Sequence, residues 1–198
     1  MKALIGQKLW QRTQPIKIES SDPDATDRLF TALTRILMFH KKPEQTLVAL
    51  CIGTDRSTGD SLGPIIGSAL KRRMPHIPLL GTLEEPVHAV NLKDKLDEVR
   101  LSYRDPFIVA VDACLGKLDS VGKIDVGPGP LQPGAGVNKV LPQVGDAYIS
   151  GIVNVGGVLE YFVLQNTRLN LVMDLAEVIT EGLHQIFASS PELERTGP

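Results

Sequence analysis

The sequence predicts an α/β fold built on a largely parallel sheet. Two short, uninterrupted apolar runs, "TLVALCIG" (residues 46–53) and "PFIVAVDA" (106–113), fit strands buried on both faces. Stretches with a helical apolar period lie between and around them, the arrangement of βαβ units. Glycine or an acid closes each run, where such a strand turns into its crossover. At 198 residues the chain suits a single domain spanning 1–198.

The elements follow in order. "SSDPDATDRLFTALTRILMFH" (20–40) reads as a first helix capped by Asp22, with Pro23 at its first position. Its apolar stripe is Leu29, Phe30, Leu33, Ile36 and Leu37. The strand 46–53 leads through a glycine-bounded loop into a helix with Leu62, Ile65, Ile66, Ala69 and Leu70 on one face. That helix ends before Pro75. A short strand around "IPLLGTL" (77–83) and a helix from about 91 to 101 precede the strand 106–113, which is expected to end at Asp112.

"GKLDSVGKIDVGPGPLQPGAGVNK" (116–139) alternates around 121–126 and is then dense in Gly and Pro, which suits an edge strand or hairpin and an irregular loop. "DAYISGIVNVGG" (146–157) is a further strand, and 158–187 forms one broken helix or two. Leu169, Val172, Met173, Ala176, Leu183, Ile186 and Phe187 keep a helical period there and are expected in the core.

Bulk properties narrow the function classes. Net charge is −2, so no basic field draws in nucleic acid. Lys71-Arg72-Arg73 falls in the last turn of a helix, where it complements the dipole. No apolar stretch approaches the roughly 20 residues that span a bilayer, and the first residues do not form a secretion signal. Cys51 and Cys114, without a CxxC neighbour, suit packing in a reduced, cytoplasmic compartment.

The loop "CIGTDRSTGDSLGPIIGSAL" (51–70) carries the chemistry. It has the strand–loop–helix form of a phosphate turn, but five residues separate Gly53 from Gly59 and Asp60 stands where a P-loop needs lysine. Asp60 follows one central strand and Asp112 ends another. Ligands of such sheets bind beyond the carboxyl ends of the strands, where strand order reverses. Two carboxyls there, with pKa values separated by burial and by each other, can supply one general acid and one general base. Either can also serve structure alone: Asp60 or Ser61 as a helix N-cap, Asp112 as a turn residue bonded to backbone N–H groups. His88, in "GTLEEPVHAVNL" (81–92), lies on a loop at the same edge. With Asp60 and Asp112 it makes a candidate divalent-metal set or a general base, or it is a surface histidine. Cys114 has no histidine placed in sequence to activate it.

"IGTDRSTGDSLGP" and "IVAVDA" resemble the two aspartate motifs of the bacterial spore germination protease and the acidic motifs of the hydrogenase maturation endopeptidases. "GTL" (81–83) resembles the Gly-Thr loop of the latter, and "GAGVNK" (134–139) a Gly-Val-Asn stretch of the former. Over its whole length the chain resembles the sporulation protein family called YyaC. The resemblance runs from about 46 to 187 and leaves the N-terminal helix (about 20–40) outside the shared core. It implies a three-layer α/β/α, phosphorylase/hydrolase-like fold with a mostly parallel central sheet. It also implies Asp60 and Asp112 as a pair for peptide-bond hydrolysis, with Thr82 and Asn138 in substrate-binding or supporting places, to which the reading of the loops adds Gly59 and His88. The chain departs from the hydrogenase group in having no histidine shortly after its second acid, and it is much shorter than the germination protease.

The sequence therefore leads to a cytoplasmic, sporulation-associated peptidase acting on a protein or peptide, with or without a divalent metal ion. The rival reading is a binding or regulatory protein that keeps the fold without catalysis. Neither oligomeric state nor substrate identity is written in these residues.

Overall fold

The computed structural model of the chain describes residues 14–134, 141–157 and 159–190. Six strands, β1 (Ile16–Glu19), β2 (Leu47–Cys51), β3 (Leu79–Leu80), β4 (Phe107–Gly116), β5 (Lys123–Pro128) and β6 (Ala147–Val155), form one sheet in the order β1-β5-β6-β4-β2-β3. β6, β4, β2 and β3 are parallel, while β5 runs antiparallel to both β6 and β1. The helices are α1 (Ala25–His40), α2 (Leu62–Arg73), α3 (Leu92–Ser102), α4 (Glu160–Gln165) and α5 (Leu169–Ala188).

The central strands are apolar throughout because both faces are covered. On one face Leu47, Ala49, Cys51, Val109, Val111 and Ile149 pack with Leu29 and Leu33 of α1, Ile66 and Leu70 of α2, and Leu175, Ile179 and Leu183 of α5. On the other, Val48, Leu50, Ile108 and Ala110 pack with Leu92, Leu96 and Val99 of α3, and with Leu131, Leu141 and Val144. The second outer layer is thus part helix and part irregular chain. Over β4 the described residues around Leu131, Leu141 and Val144 take the place of a helix, joined by the Leu131–Val144 bridge. This is the three-layer α/β/α arrangement expected from the sequence.

Several local expectations need correcting. β4 does not stop at Asp112 but continues to Gly116, because Asp112, Ala113 and Cys114 find partners in Ser150, Gly151 and Ile152 of β6. β5 is not the sheet edge, since Ile16–Glu19 pairs outside it. Asp22 does not cap α1, which begins at Ala25. Its carboxylate instead accepts the Asp24 N–H at 3.0 Å and the Arg28 guanidinium at 2.9 Å. Leu169 and Met173 are exposed, because the buried stripe of α5 runs through Val172, Leu175, Ala176, Ile179 and Leu183. The break within 158–187 resolves into two helices, α4 and α5. Asn138 and most of "GAGVNK" lie outside the described residues.

Candidate functional site

Chain direction reverses across β2. The chain passes from β2 outward to β3, then crosses back to β4 on β2's other side. A crevice opens at that point in parallel sheets. Here it is a cavity of about 340 Å³ whose lining includes Gly53, Ser57, Asp60, His88, Asp112, Gly134, Leu141, Tyr161 and Leu164.

Two glycines bring its walls together. A Cβ on Gly63, in the first turn of α2, would lie 2.0 Å from the carbonyl oxygen of Ile52. One on Gly53, whose φ is +141°, would lie 2.0 Å from that of Asp60. Only glycine therefore lets α2 start against the end of β2, and the Thr54 N–H closes the loop on the Asp60 carbonyl at 3.1 Å. Gly59 is buried against Leu164 and Thr167, which ties the loop to the α4–α5 junction. Asp60 sits in a short 3₁₀ turn, Gly59–Ser61, just before α2. Neither Asp60 nor Ser61 makes a side-chain cap; the Ser61 hydroxyl donates back to the Thr58 carbonyl at 2.6 Å.

Asp112 enters from β4 on the α3 side of the sheet and is 6 % exposed. Its Oδ1 accepts the Ala113 N–H at 2.9 Å. Burial first, and the charge of Asp60 second, push its pKa well above the carboxylate norm, against the pull of the Ala113 and Gly134 amides. Burial also raises Asp60, but the Thr54 amide and His88 hold it back. Both carboxyls are thus held above the ordinary range, Asp112 well above it, and the two titrate as a pair.

His88 arrives through a parallel bridge between Ile52 and Val87, with the Gly53 N–H donating to the Val87 carbonyl at 2.8 Å. Asn91 fixes the loop: its Oδ1 accepts the His88 N–H at 2.8 Å, and its amide donates to the Pro86 carbonyl at 3.0 Å. The His88 Nδ1 accepts the Val90 N–H at 3.3 Å, so the neutral ring carries its proton on Nε2. Among the described residues no group of three or more His, Cys, Asp or Glu side chains is placed to hold a metal ion. Asp60, Asp112 and His88 thus meet at one cavity without forming a ready three-ligand cluster.

The remaining candidates separate. Thr82 is spent closing its own turn, exchanging hydrogen bonds with Glu85 at 3.1 Å, and it lines a different cavity with Ser68, Lys71 and Lys95. Burial pushes the thiols of Cys51 and Cys114 up to about 12, which leaves neither a nucleophile near neutrality. Residues that sequence reasoning missed are Ser57, which shares the loop of Asp60, and Leu141, Tyr161 and Leu164, which long-range packing draws to the cavity. Val90 and Tyr161 stand at its mouth, 79 % and 59 % exposed. No helix among the described residues is long and apolar enough to cross a membrane.

A family model described as "Protein of unknown function (DUF1256)" matches residues 17–182. The chain is 50% identical over 182 residues to the "Uncharacterized protein YyaC" of Bacillus subtilis (strain 168), an alignment that covers 91% of this chain and 88% of that relative.

Proposed function

The chain belongs to the DUF1256 family, and from that premise we propose that it is a sporulation-associated, cytoplasmic peptidase whose Asp60 and Asp112 hydrolyse a peptide bond in a protein or peptide. The observation that carries the reading is electrostatic: two acids, one from the loop after β2 and one from the neighbouring strand β4, line one cavity, and the charge of one raises the pKa of the other. Paired carboxyls with separated pKa values are the usual means by which two like groups take opposite roles at one pH. The resemblance of both acidic loops to the germination protease and the hydrogenase maturation endopeptidases supports the same reading.

In the mechanism Asp60, ionised first, takes a proton from water as its oxygen attacks the scissile carbonyl carbon. Asp112, still protonated, donates a hydrogen bond to the carbonyl oxygen and then passes its proton to the departing amine nitrogen. The C–N bond breaks, a carboxyl and an amine leave, and the pair is left with one shared proton, as it began. The first turn of α2, opening beside Asp60, adds the positive end of its dipole where negative charge develops.

A second reading has its own support. Exposed Val90, Leu159, Tyr161 and Phe162 are the apolar surface that a protein holding a partner without cleaving it would present. A peptide-library cleavage assay separates the two, run with chelator and with added divalent ions, on the wild type, Asp60→Asn and Asp112→Asn. Cleavage lost in both variants supports the aspartate pair. Cleavage untouched by either substitution removes the mechanism, and silence of the wild type in every ion condition favours the binding protein.

A further inference from the structure

We propose that Ser57 is a substrate-contacting residue of this site, its hydroxyl donating to the carbonyl oxygen of the bond that the aspartates attack. The inference rests on the peptidase reading and adds a residue that neither the sequence motifs nor the acidic pair implies.

Among the described residues three buried side-chain atoms have no hydrogen-bond partner: Ser57 Oγ, Asp125 Oδ1 and His184 Nδ1. Of their residues only Ser57 lines the cavity that holds Asp60, His88 and Asp112. It is 6 % exposed, so bulk water does not satisfy its hydroxyl. Buried polar groups are almost always bonded, so an orphan beside a candidate site calls for a partner.

Two other hydroxyls of the same loop already have partners. Thr54 Oγ1 accepts the Arg56 N–H at 3.3 Å, and the Ser61 hydroxyl donates to the Thr58 carbonyl at 2.6 Å. The Ser57 carbonyl takes the Ser61 N–H at 3.0 Å, which anchors the residue's backbone and leaves the side chain unspent. Gly53 and Gly59 on either side are packed too tightly for a Cβ, so the loop holds its place.

The chemistry of the other groups selects the role. Asp60, once ionised, only accepts, and the His88 Nδ1 takes the Val90 N–H, which leaves the ring's Nε2–H as the other neutral donor at the cavity. The single proton of Asp112 is committed first to the carbonyl oxygen and then to the leaving nitrogen. As that proton departs, the carbonyl oxygen needs a second donor that stays. An unspent hydroxyl held in the cavity wall supplies it.

The test uses the full chain and a fluorescence-quenched peptide library, with wild type, Ser57→Ala and Ser57→Cys. For Ser57→Ala we expect kcat to fall about 100- to 1000-fold, the usual loss for one oxyanion donor. KM should stay within about threefold, since the contact tightens in the transition state. Melting temperature should hold or rise, because an unpaired buried hydroxyl contributes nothing to the fold. Ser57→Cys, with its weak S–H donor, should recover part of the rate. Full activity in Ser57→Ala overturns the inference and leaves the peptidase reading standing. A fall in melting temperature that accounts for the lost activity, with no gain in the cysteine variant, overturns it in favour of a structural role. A wild type that cleaves nothing in any pool removes both readings together.

Discussion

Asp60 raises the pKa of Asp112, although one carboxyl hangs from a loop after β2 and the other from the middle of β4. Among the described residues the one basic side chain that offsets this pair is His88, beside Asp60. Such a pair works against the fold, and native proteins hold strain of this kind where it serves a purpose.

The first prediction concerns stability against pH. A carboxyl whose folded pKa is raised binds its proton more tightly when folded. Its contribution is complete below the ordinary value of 3.8 and is lost as pH climbs through the folded value. Asp112→Asn keeps an acceptor for the Ala113 N–H but carries no charge. Its melting temperature should match the wild type near pH 4 and exceed it increasingly toward pH 8, by at least the 2–4 °C or so that about 1 kcal/mol produces in a chain of this size. Asp60 leaves a smaller slope of the same sign in the variant. Differential scanning calorimetry across that range checks it, and parallel curves for the two proteins would contradict the buried charge.

The second concerns His88. Its charge lowers the pKa of Asp60, so the general base is ionised at lower pH than burial alone would allow. In His88→Gln that help is gone, and the acid limb of kcat/KM should move to higher pH. A several-fold loss at the acid end with an unchanged plateau is expected. A uniform loss at all pH values would instead give His88 a direct part in the chemistry.

These features were unevenly legible in the sequence. The runs 46–53 and 106–113 announced themselves because strands covered on both faces leave no polar alternation. The glycine-bounded acidic loop did so because Gly53 and Gly63 are required by backbone approaches internal to one strand–turn–helix unit. β1 was not legible: only Ile18 of its four residues is buried, and its register is set by β5 far along the chain. The end of β4 was misjudged at Asp112 for a similar reason, since the partners in β6 that extend it are remote in sequence. Leu141 and Tyr161 carry no local signal for a site, because they reach the cavity only through packing against strands remote from them in sequence.

The third prediction follows from Gly63. In the interior of an exposed helix a Gly→Ala change usually stabilises by about 0.5–1 kcal/mol. Here the added methyl would meet the Ile52 backbone at 2.0 Å, so α2 must shift off β2. Gly63→Ala should lose roughly 2–4 kcal/mol by urea unfolding, with activity falling as well, because the shift displaces Asp60. A stabilised variant would show that α2 does not start against the end of β2.

The last prediction separates rim from surface. Tyr161 and Phe162 are neighbours on α4 and almost equally exposed, 59 % and 61 %, but of the two only Tyr161 lines the cavity. Truncating either removes little buried area, so both alanine variants should keep the wild-type melting temperature. If the cavity holds substrate, Tyr161→Ala should raise KM about tenfold, equivalent to about 1.4 kcal/mol of lost contact, with kcat preserved. Phe162→Ala should leave both constants unchanged. Equal effects from the two substitutions would mean that a broad apolar face binds the partner and that the acidic cavity is not its centre, the outcome that the non-catalytic reading requires.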